Sequence, residues 1–332
     1  MTEMGQIIPF TGSPSNLWEK EMKLVKSVPT LQISNSEIQT WKDCRRRWWL
    51  QYFRGLKAPE KTTGALALGT NIHSSLASYY SPSGSKGLAL GVLTSIYEEV
   101  RKNTPNDLTA VDKDHKMART MLEGYFDWIE ETGIDSDFEI IEAESEIEHT
   151  LHISGTDVTI LGKRDAIGID KLERFFFLDH KSCQSLIDPL LDLNEQLFTY
   201  ALLYRLNNPD KMPSYAMWNL LRKTLRTAKA TPPFYARESV EVSDKMLRNF
   251  YIRLTGTISD IIQARDELNR NTDHRAVCYP RPSSRCSWGC DFRTACPMFD
   301  MDDYAEEFLT NNFRVSNPYE RYAESRSDLD SI

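Results

Sequence analysis

The sequence predicts an α/β fold in which a mixed central sheet is flanked by helices. Between residues 34 and 133 the apolar residues recur at helical spacing. From residue 138 the pattern changes to alternating or continuous apolar runs, which are typical of strands, and helical segments lie among them. A helical part followed by strands and helices in alternation is the pattern of an α/β domain.

The helical part is predicted to contain four helices. The first begins at Ser34 or Asn35, either of which can cap a helix, and runs through Leu50. The others cover residues 69–80, 86–102 and 110–131, and the helical part ends at Gly133. The preceding residues 1–33 contain three prolines and little periodicity, so we expect an irregular segment there.

The sheet is predicted from four strand-like segments at residues 138–151, 158–170, 174–182 and 214–222. The third contains the apolar run FFFL, which suits a central strand. Helices are predicted at 190–206 and 243–268. We therefore expect one domain over 34–300, with its helical part at 34–133, sheet core at 138–242, long helix at 243–270 and cysteine cluster at 286–296, followed by an acidic polar tail at 301–332.

Charge and hydropathy narrow the functional classes. The net charge is −8, with 40 basic and 48 acidic residues, which disfavours a protein that coats nucleic acid over its whole surface. It permits an enzyme with a local basic groove and a carboxylate-rich metal site. No run approaches the roughly 18 apolar residues of a membrane span, and the N-terminus lacks a secretory signal pattern. These features predict a soluble cytoplasmic protein with no membrane partner.

The segment from residue 162 to 182 contains two acids and a lysine in a pattern that suits metal chemistry. Asp165 lies near the end of one predicted strand, and Asp179 and Lys181 lie two residues apart in the next, so the latter pair share a sheet face. Carboxylates can hold Mg²⁺ or Mn²⁺, which activates water for phosphodiester hydrolysis. The lysine can stabilise the developing negative charge.

An ordinary salt bridge between Asp179 and Lys181, with Asp165 in a turn, would also explain the spacing. The setting favours a functional site, because the pair follows FFFL at the end of an apolar strand. Charge in such a place is costly unless it has a task.

Four motifs in order resemble the RecB-type branch of the PD-(D/E)XK nucleases, namely GTNIH, GKRD, LDHK and QLFTY. This branch includes the nuclease domains of RecB and AddAB, phage recombination exonucleases and CRISPR-adaptation exonucleases. The resemblance covers residues 34–300 and implies a restriction-endonuclease-like fold. It implies catalytic roles and metal ligation for a defined set of residues. The metal ligands are His73, Asp165, Asp179 and the backbone carbonyl of His180; the catalytic residues are Asp165, Asp179, Lys181, Gln196 and Tyr200.

Taken without the resemblance, His73 would be an unremarkable helix residue. Gln196 and Tyr200 would be the polar flank of an amphipathic helix, since residues four apart share a helix face. A histidine ligand favours Mn²⁺ somewhat over Mg²⁺, because imidazole is softer than water or carboxylate.

The chain has six cysteines, and three of them fall within residues 286–296. In a cytosolic protein such clustering favours metal ligation over disulfides. Four thiolates can hold Zn²⁺ or a [4Fe–4S] cluster, and the chemistry alone leaves both open. The resemblance to AddB and the CRISPR-adaptation enzymes implies [4Fe–4S]. The ligands that it implies are Cys44, Cys286, Cys290 and Cys296.

Basic residues beside aromatic ones suggest contacts with DNA. The segment CRRRWWLQYF suits single strands, with Arg45 and Arg46 on phosphates, although its tryptophans also fit a core helix. Arg222 and Lys223 lie at the end of a predicted β-strand, where they could guide a DNA strand or lie in a solvated loop.

The function that these features predict is a metal-dependent DNA exonuclease acting on ends or single strands in recombination or repair. It lacks a Walker A motif, so a recombination or helicase partner would be a separate protein. Phages that infect bacteria commonly encode such free-standing nucleases. The alternatives are a CRISPR-adaptation nuclease and a non-catalytic iron–sulfur DNA-binding module.

Overall fold

The computed structural model describes residues 31–187, 191–301 and 304–322; the predicted irregular segment therefore lies outside the described residues except for 31–33. The eight strands in this part of the chain are β1 (Leu31–Ser34), β2 (Leu56–Lys57), β3 (Phe138–Ile153), β4 (Thr156–Asp170), β5 (Phe175–Cys183), β6 (Tyr215–Arg222), β7 (Tyr235–Glu241) and β8 (Arg314–Val315).

Helices flank these strands. Those of the described residues are α1 (Asn35–Asp43), α2 (Arg45–Trp48), α3 (Ala65–Tyr79), α4 (Lys86–Asn103), α5 (Leu108–Thr132), α6 (Glu195–Asn207), α7 (Asp244–Asn269), α8 (His274–Val277), α9 (Arg285–Trp288), α10 (Met298–Met301) and α11 (Ala305–Asn312). None of them combines the length and apolar character that a membrane crossing requires.

The main sheet is mixed and runs in the order β1–β4–β5–β6–β7, with β3 also paired to β4. The β1–β4 and β5–β6 pairs are parallel, whereas β3–β4, β4–β5 and β6–β7 are antiparallel. One core lies between the sheet and α1, α6 and α7. A second core joins α3, α4 and α5 and reaches the sheet at Leu221 and Tyr235. The predicted fold class is confirmed.

Strand β4 divides the sheet into two branches. On one edge it pairs with β3 over almost its full length. On the other edge, β1 pairs with Val158–Leu161 and β5 pairs with Ala166–Ile169, so residues 162–165 meet no strand of the described chain there. Beyond Leu178, β5 continues beside β6 alone. The backbones of β4 and β5 thus separate at a fork, which leaves room for side chains and ligands.

Several local features differ from the predictions. Residues 31–33 were predicted to be irregular but form β1, where Ile33 is buried against β4. The predicted first helix is interrupted at Cys44, whose backbone is extended, and ends in a π-helical turn at Trp49–Phe53. Ser34 is the cap: its hydroxyl accepts a hydrogen bond from the Glu37 amide at 3.2 Å.

The two remaining differences concern polar segments. Strand β7 was not predicted because it is an edge strand whose side chains are mostly polar and partly exposed. The predicted acidic tail is in part a packed structure. Helix α11 buries Leu309, and β8 pairs with β2. The Tyr319 hydroxyl also donates a hydrogen bond to the buried carboxylate of Glu37.

Candidate active site

The two predicted carboxylates and the lysine converge at the fork between β4 and β5. Asp165 lies in the stretch of β4 that pairs with neither β1 nor β5. Asp179 and Lys181 lie in β5 just beyond the point where it separates from β4. The His180 amide donates to the Asp165 carboxylate at 2.7 Å and thus connects the two strands. Asp165 therefore takes the place of the missing backbone partner at the fork.

Asp179 is the most buried acid of this group, with 2% of its side chain exposed. The Lys181 ammonium lies 3.3 Å from one carboxylate oxygen, and the Gln196 amide donates to the other at 2.8 Å. Burial raises the pKa of Asp179 above its usual value, although the charge of Lys181 opposes this shift. The ion pair and the hydrogen bond hold the carboxylate in one orientation.

Helix α6 brings Gln196 and Tyr200 to the site together. Asn194 caps the helix by accepting a hydrogen bond from the Gln196 amide at 3.0 Å, which fixes the first turn beside β5. The Gln196 side chain also donates to the Tyr200 hydroxyl at 3.2 Å. Both residues lie on one face of the helix, as their spacing predicts, and this face adjoins Asp179.

His73 approaches the fork from helix α3. Its Nδ1 atom lies 3.2 Å from an Asp165 oxygen. Burial disfavours the imidazolium, but the hydrogen bond to Asp165 and the surrounding acids outweigh it and raise the pKa of His73 to about 9. Burial likewise disfavours the Asp165 carboxylate, yet His73 and the His180 amide keep its pKa below the usual value. The imidazole and the carboxylate are therefore already adjacent.

The ring of His180 points to the other face of the sheet. It stacks on Tyr80 with ring centroids 5.5 Å apart, and its Nδ1 atom accepts a hydrogen bond from the Asn219 amide at 3.0 Å. Burial lowers the pKa of His180 to about 3, so the ring is neutral at physiological pH. These contacts hold the backbone from which the amide reaches Asp165.

A buried polar network supports His180, and the sequence analysis missed it. Its centre is Arg237 of β7, whose guanidinium binds Asp135 and donates to the hydroxyls of Tyr80 at 3.1 Å and Tyr125 at 3.0 Å. Asn219 joins the network through Tyr125 at 2.6 Å. The polar pattern of β7 hid this residue, because nothing local in the sequence marks a buried arginine on an edge strand.

Glu144 of β3 is a second residue that the sequence analysis missed. Its carboxylate, His73 and Asp165 form a group whose ligand atoms lie within 4.8 Å of one another. The Lys163 ammonium lies 2.8 Å from Glu144. The acidic run EIIEAESEIE contained the signal but did not distinguish this glutamate from its neighbours.

The donor atoms at the fork fit a divalent cation. Carboxylate oxygens are the ligands that Mg²⁺ and Mn²⁺ prefer, and one imidazole nitrogen is compatible with Mn²⁺ in particular. Lys181 and Gln196 hold Asp179, and neither adds a second negative charge beside it.

The sequence of the whole domain matches one family of enzymes. A profile of the PD-(D/E)XK nuclease superfamily matches residues 32–297, a region that includes the entire fork. The chain belongs to this superfamily. No curated protein matches the chain significantly. Among solved structures, the crystal structure of SSO0001 is similar over 86% of this chain and 93% of its own, with 15% sequence identity and a TM-score of 0.36.

In this PD-(D/E)XK protein, the four predicted cluster cysteines occupy one region but do not form a compact group. Among the described residues, no three thiols lie within 4.8 Å of one another. Burial raises the pKa of the Cys290 thiol, and the nearby thiols of Cys44 and Cys286 add to this shift. Burial likewise raises the pKa of the Cys296 thiol, and the nearby Cys44 thiol raises it further.

Hydrogen-bond donors surround the cysteine sulfurs. The Arg281 amide points to Cys44 at 3.4 Å, and the Ser283 amide points to Cys286 at 3.5 Å. Cys278 is fully buried, and burial raises its pKa to about 12, which is typical of a core thiol. The Cys183 thiol donates to the Leu221 carbonyl at 3.7 Å.

The predicted DNA-binding arginines differ in exposure. Arg46 is buried and forms a two-point ion pair with Asp300 at 2.9 and 3.0 Å, so its charge is neutralised inside the protein and it does not face solvent. Arg45 is half-buried over the ring of Trp41. Arg222 and Lys223 lie at the carboxyl end of β6, next to Cys183 of β5. That position is at the same end of the sheet as Lys181.

Proposed function

We propose that this protein is a RecB-type, divalent-metal-dependent exonuclease that hydrolyses DNA at ends or in single strands during recombination or repair. The observation that supports this most is the convergence of His73, Asp165, Asp179 and Lys181 at the fork of the sheet. We also propose that residues 34–300 form one nuclease domain.

The proposed metal ligands are His73, Asp165, Asp179 and the backbone carbonyl of His180. When bound there, Mg²⁺ or Mn²⁺ supplies polarisation of the phosphate and a lower pKa for the attacking water. Lys181 carries the fixed positive charge that stabilises the pentacovalent phosphate. Its ion pair with Asp179 keeps the ammonium within reach of the same phosphate oxygens.

Gln196 and Tyr200 are assigned a positioning role. Gln196 donates to both Asp179 and Tyr200, so it sets the orientation of the carboxylate relative to helix α6. The substrate strand is proposed to follow the basic end of β6, with Arg222 and Lys223 on its phosphates. Arg45 is a more distant candidate contact, whereas the buried Arg46 serves the protein fold.

The test is digestion of DNA labelled at one end, in single- and double-stranded form, with Mn²⁺, with Mg²⁺ or with chelator. Covalently closed circular DNA is the control for endonuclease activity. The proposal predicts metal-dependent release of label from linear substrates, with circles left intact. Cleavage that persists in chelator, or no cleavage of any linear DNA with either metal, would refute it.

We also propose that Cys44, Cys286, Cys290 and Cys296 hold a [4Fe–4S] cluster. The support is the order of one early and three late cysteines, which resembles the iron–sulfur branches of the superfamily. Amide donors to sulfur, such as those of Arg281 and Ser283, also suit a cluster, since hydrogen bonds to sulfur tune its potential.

The composition of this centre can be measured directly. Protein purified without oxygen should be brown, absorb broadly near about 400 nm and contain about four irons per chain. A colourless preparation with one zinc per chain and no iron would replace the cluster with the zinc alternative.

A further inference from the structure

Glu144 stands directly opposite Asp165 in the β3–β4 pair. The flanking register pairs are Ala143 with Ala166 and Ser145 with Arg164, so the position between them places Glu144 across from Asp165. One carboxylate oxygen of each residue lies within 4.8 Å of the other. The two carboxylates therefore face the same space.

Two carboxylates this close need positive charge beside them, which His73 and Lys163 supply in the absence of an ion. Like charges directly opposite each other destabilise a sheet. Lys163 compensates Glu144 at 2.8 Å, but its side chain is 40% exposed, so water screens that ion pair. Glu144 also has a left-handed backbone, with φ of 52°, in an otherwise extended strand. Unfavourable charge and backbone geometry at one residue are typical of functional positions.

The ligand atoms of three residues already lie near the separation that one ion requires. Atoms at adjacent vertices of an octahedron with bonds of about 2.1 Å lie about 3.0 Å apart. His73 Nδ1 and one Asp165 oxygen are 3.2 Å apart. One ligand atom each of His73, Asp165 and Glu144 lie within 4.8 Å of one another. Asp179 is not one of this group of three; Lys181 and Gln196 contact its two oxygens.

We propose that Glu144 is a metal ligand, and that it forms with His73 and Asp165 an outer position for Mn²⁺ or Mg²⁺ on the β3 side of the fork. This inference deepens the proposed function and rests on it for the use of the metal. Asp165 then bridges the outer position and the position next to Asp179, and His73, whose ring nitrogen can bind only one ion, holds the outer ion when both positions are filled. The ion at the outer position neutralises the opposed carboxylates of Glu144 and Asp165.

The test is calorimetric titration of Mn²⁺ into the metal-free full-length protein and into Glu144→Gln. Glutamine keeps the size of the side chain but loses the charge. The matched control is Glu139→Gln, because Glu139 is an exposed glutamate of the same strand opposite Ile169. We expect E144Q to bind Mn²⁺ at least tenfold more weakly or with one equivalent fewer, and E139Q to bind as the wild type does.

Thermal melting separates ligation from a loss of fold. In chelator, E144Q should melt within a few degrees of the wild type, because it loses the repulsion from Asp165 together with the attraction to Lys163 and His73. Added Mn²⁺ should raise its melting temperature less than it raises that of the wild type, since a ligand stabilises only the state that binds it. An E144Q protein with wild-type Mn²⁺ affinity, or one that melts well below the wild type in chelator, would overturn the inference.

The titration contains no DNA, so the two proposals fail separately. If the wild type binds Mn²⁺ through Glu144 but cleaves no DNA, the proposed function alone is wrong. If the wild type cleaves DNA and E144Q keeps full Mn²⁺ affinity, the role of Glu144 alone is wrong.

Discussion

Lys181 and Asp179 form an ion pair whose value is chemical rather than structural. The Lys181 side chain is 26% exposed, whereas the Asp179 side chain is almost fully buried. Water reaches the lysine in part, so the pair contributes less to folding than a fully buried one. Placed beside a proposed metal and phosphate, the same charge stabilises the transition state more than the ground state.

We therefore predict that Lys181→Ala lowers the cleavage rate about a hundredfold or more while Mn²⁺ binding is retained. The measurements are initial rates on end-labelled DNA and Mn²⁺ titration of the same preparation. Lys171→Ala is the control, since Lys171 is an exposed lysine of the β4–β5 turn paired with Asp137. Near-normal cleavage by the Lys181 variant would remove it from the site.

Arg237 has the opposite character, because its contribution is to the fold behind the site. Its side chain is 6% exposed and is bonded to Asp135, Tyr80 and Tyr125. Burial opposes the charge, but these partners keep the pKa of Arg237 above its usual value. Losing it leaves an acid and two hydroxyls without their shared partner.

Arg237→Met should destabilise the protein by about 3–5 kcal/mol, as expected when one partner of a buried charged network is removed. Urea unfolding measures this loss. Arg248→Met, which breaks a more exposed pair with Asp244 in α7, should cost no more than about 1 kcal/mol. Equal effects of the two substitutions would show that the network has no special weight.

At the scale of the elements, helix α6 lies so close to β4 that one position admits only glycine. A Cβ atom on Gly162 would lie 2.9 Å from the Tyr200 ring and 3.1 Å from Ile147. Gly162 is therefore the point where the strand carrying Asp165 and the helix carrying Gln196 pack together. Any side chain there separates the two elements.

We predict that Gly162→Ala costs about 1–3 kcal/mol of stability, the usual range for overpacking. Cleavage should fall as well, since Tyr200 and Gln196 move away from Asp179. The control is Gly91→Ala in α4, because a Cβ atom there meets nothing within 4 Å. This substitution should stabilise the helix by up to about 1 kcal/mol. Chemical denaturation and rate measurements on both variants decide the matter; an unperturbed Gly162→Ala enzyme would contradict the packing argument.

The elements show which parts of the structure a sequence can predict. Strands β4 and β5 and helices α4 to α7 were predicted because each carries a long apolar pattern, either periodic or, as in the FFFL run of β5, continuous. Strand β7 and the short β1 lack such a pattern, since pairing with β6 and β4 specifies them. The break at Cys44 was equally hidden, because an extended residue between two helical segments leaves no periodic trace.

The site shows the same division. The spacing of Asp179 with Lys181 and of Gln196 with Tyr200 already encodes a shared face, and the structure places each pair together. Glu144 could not be singled out, because its position opposite Asp165 depends on a register that follows a bulge in β3. The burial of Arg46 depends on Asp300, which is more than two hundred residues away in sequence.

At the scale of the whole molecule, the proposed cysteine centre connects the two ends of the domain. Cys44 lies between α1 and α2, and the other three ligands lie beyond α7. Arg46 and Asp300 pair across the same junction. A connection over so long a loop removes much of the freedom of the unfolded chain.

Cys44→Ala should therefore lower the iron content, the melting temperature and the soluble yield together, with cleavage lost as the fold loosens. Cys183→Ala, outside the proposed centre, should retain its iron. Iron analysis and thermal melting of both variants provide the measurement. A redox switch makes a different prediction: reduction and reoxidation of the intact protein would change the cleavage rate reversibly, by several-fold, with stability unchanged.

Asp179→Asn decides whether the fork holds a metal-dependent nuclease site. Asparagine preserves the shape of the buried side chain but removes its charge, so the melting temperature in chelator should be equal to or above that of the wild type. The measurement is the rate of label release from end-labelled DNA in Mn²⁺. We predict a fall of at least about a hundredfold; a folded D179N protein that cleaves within a few-fold of the wild-type rate would contradict the account.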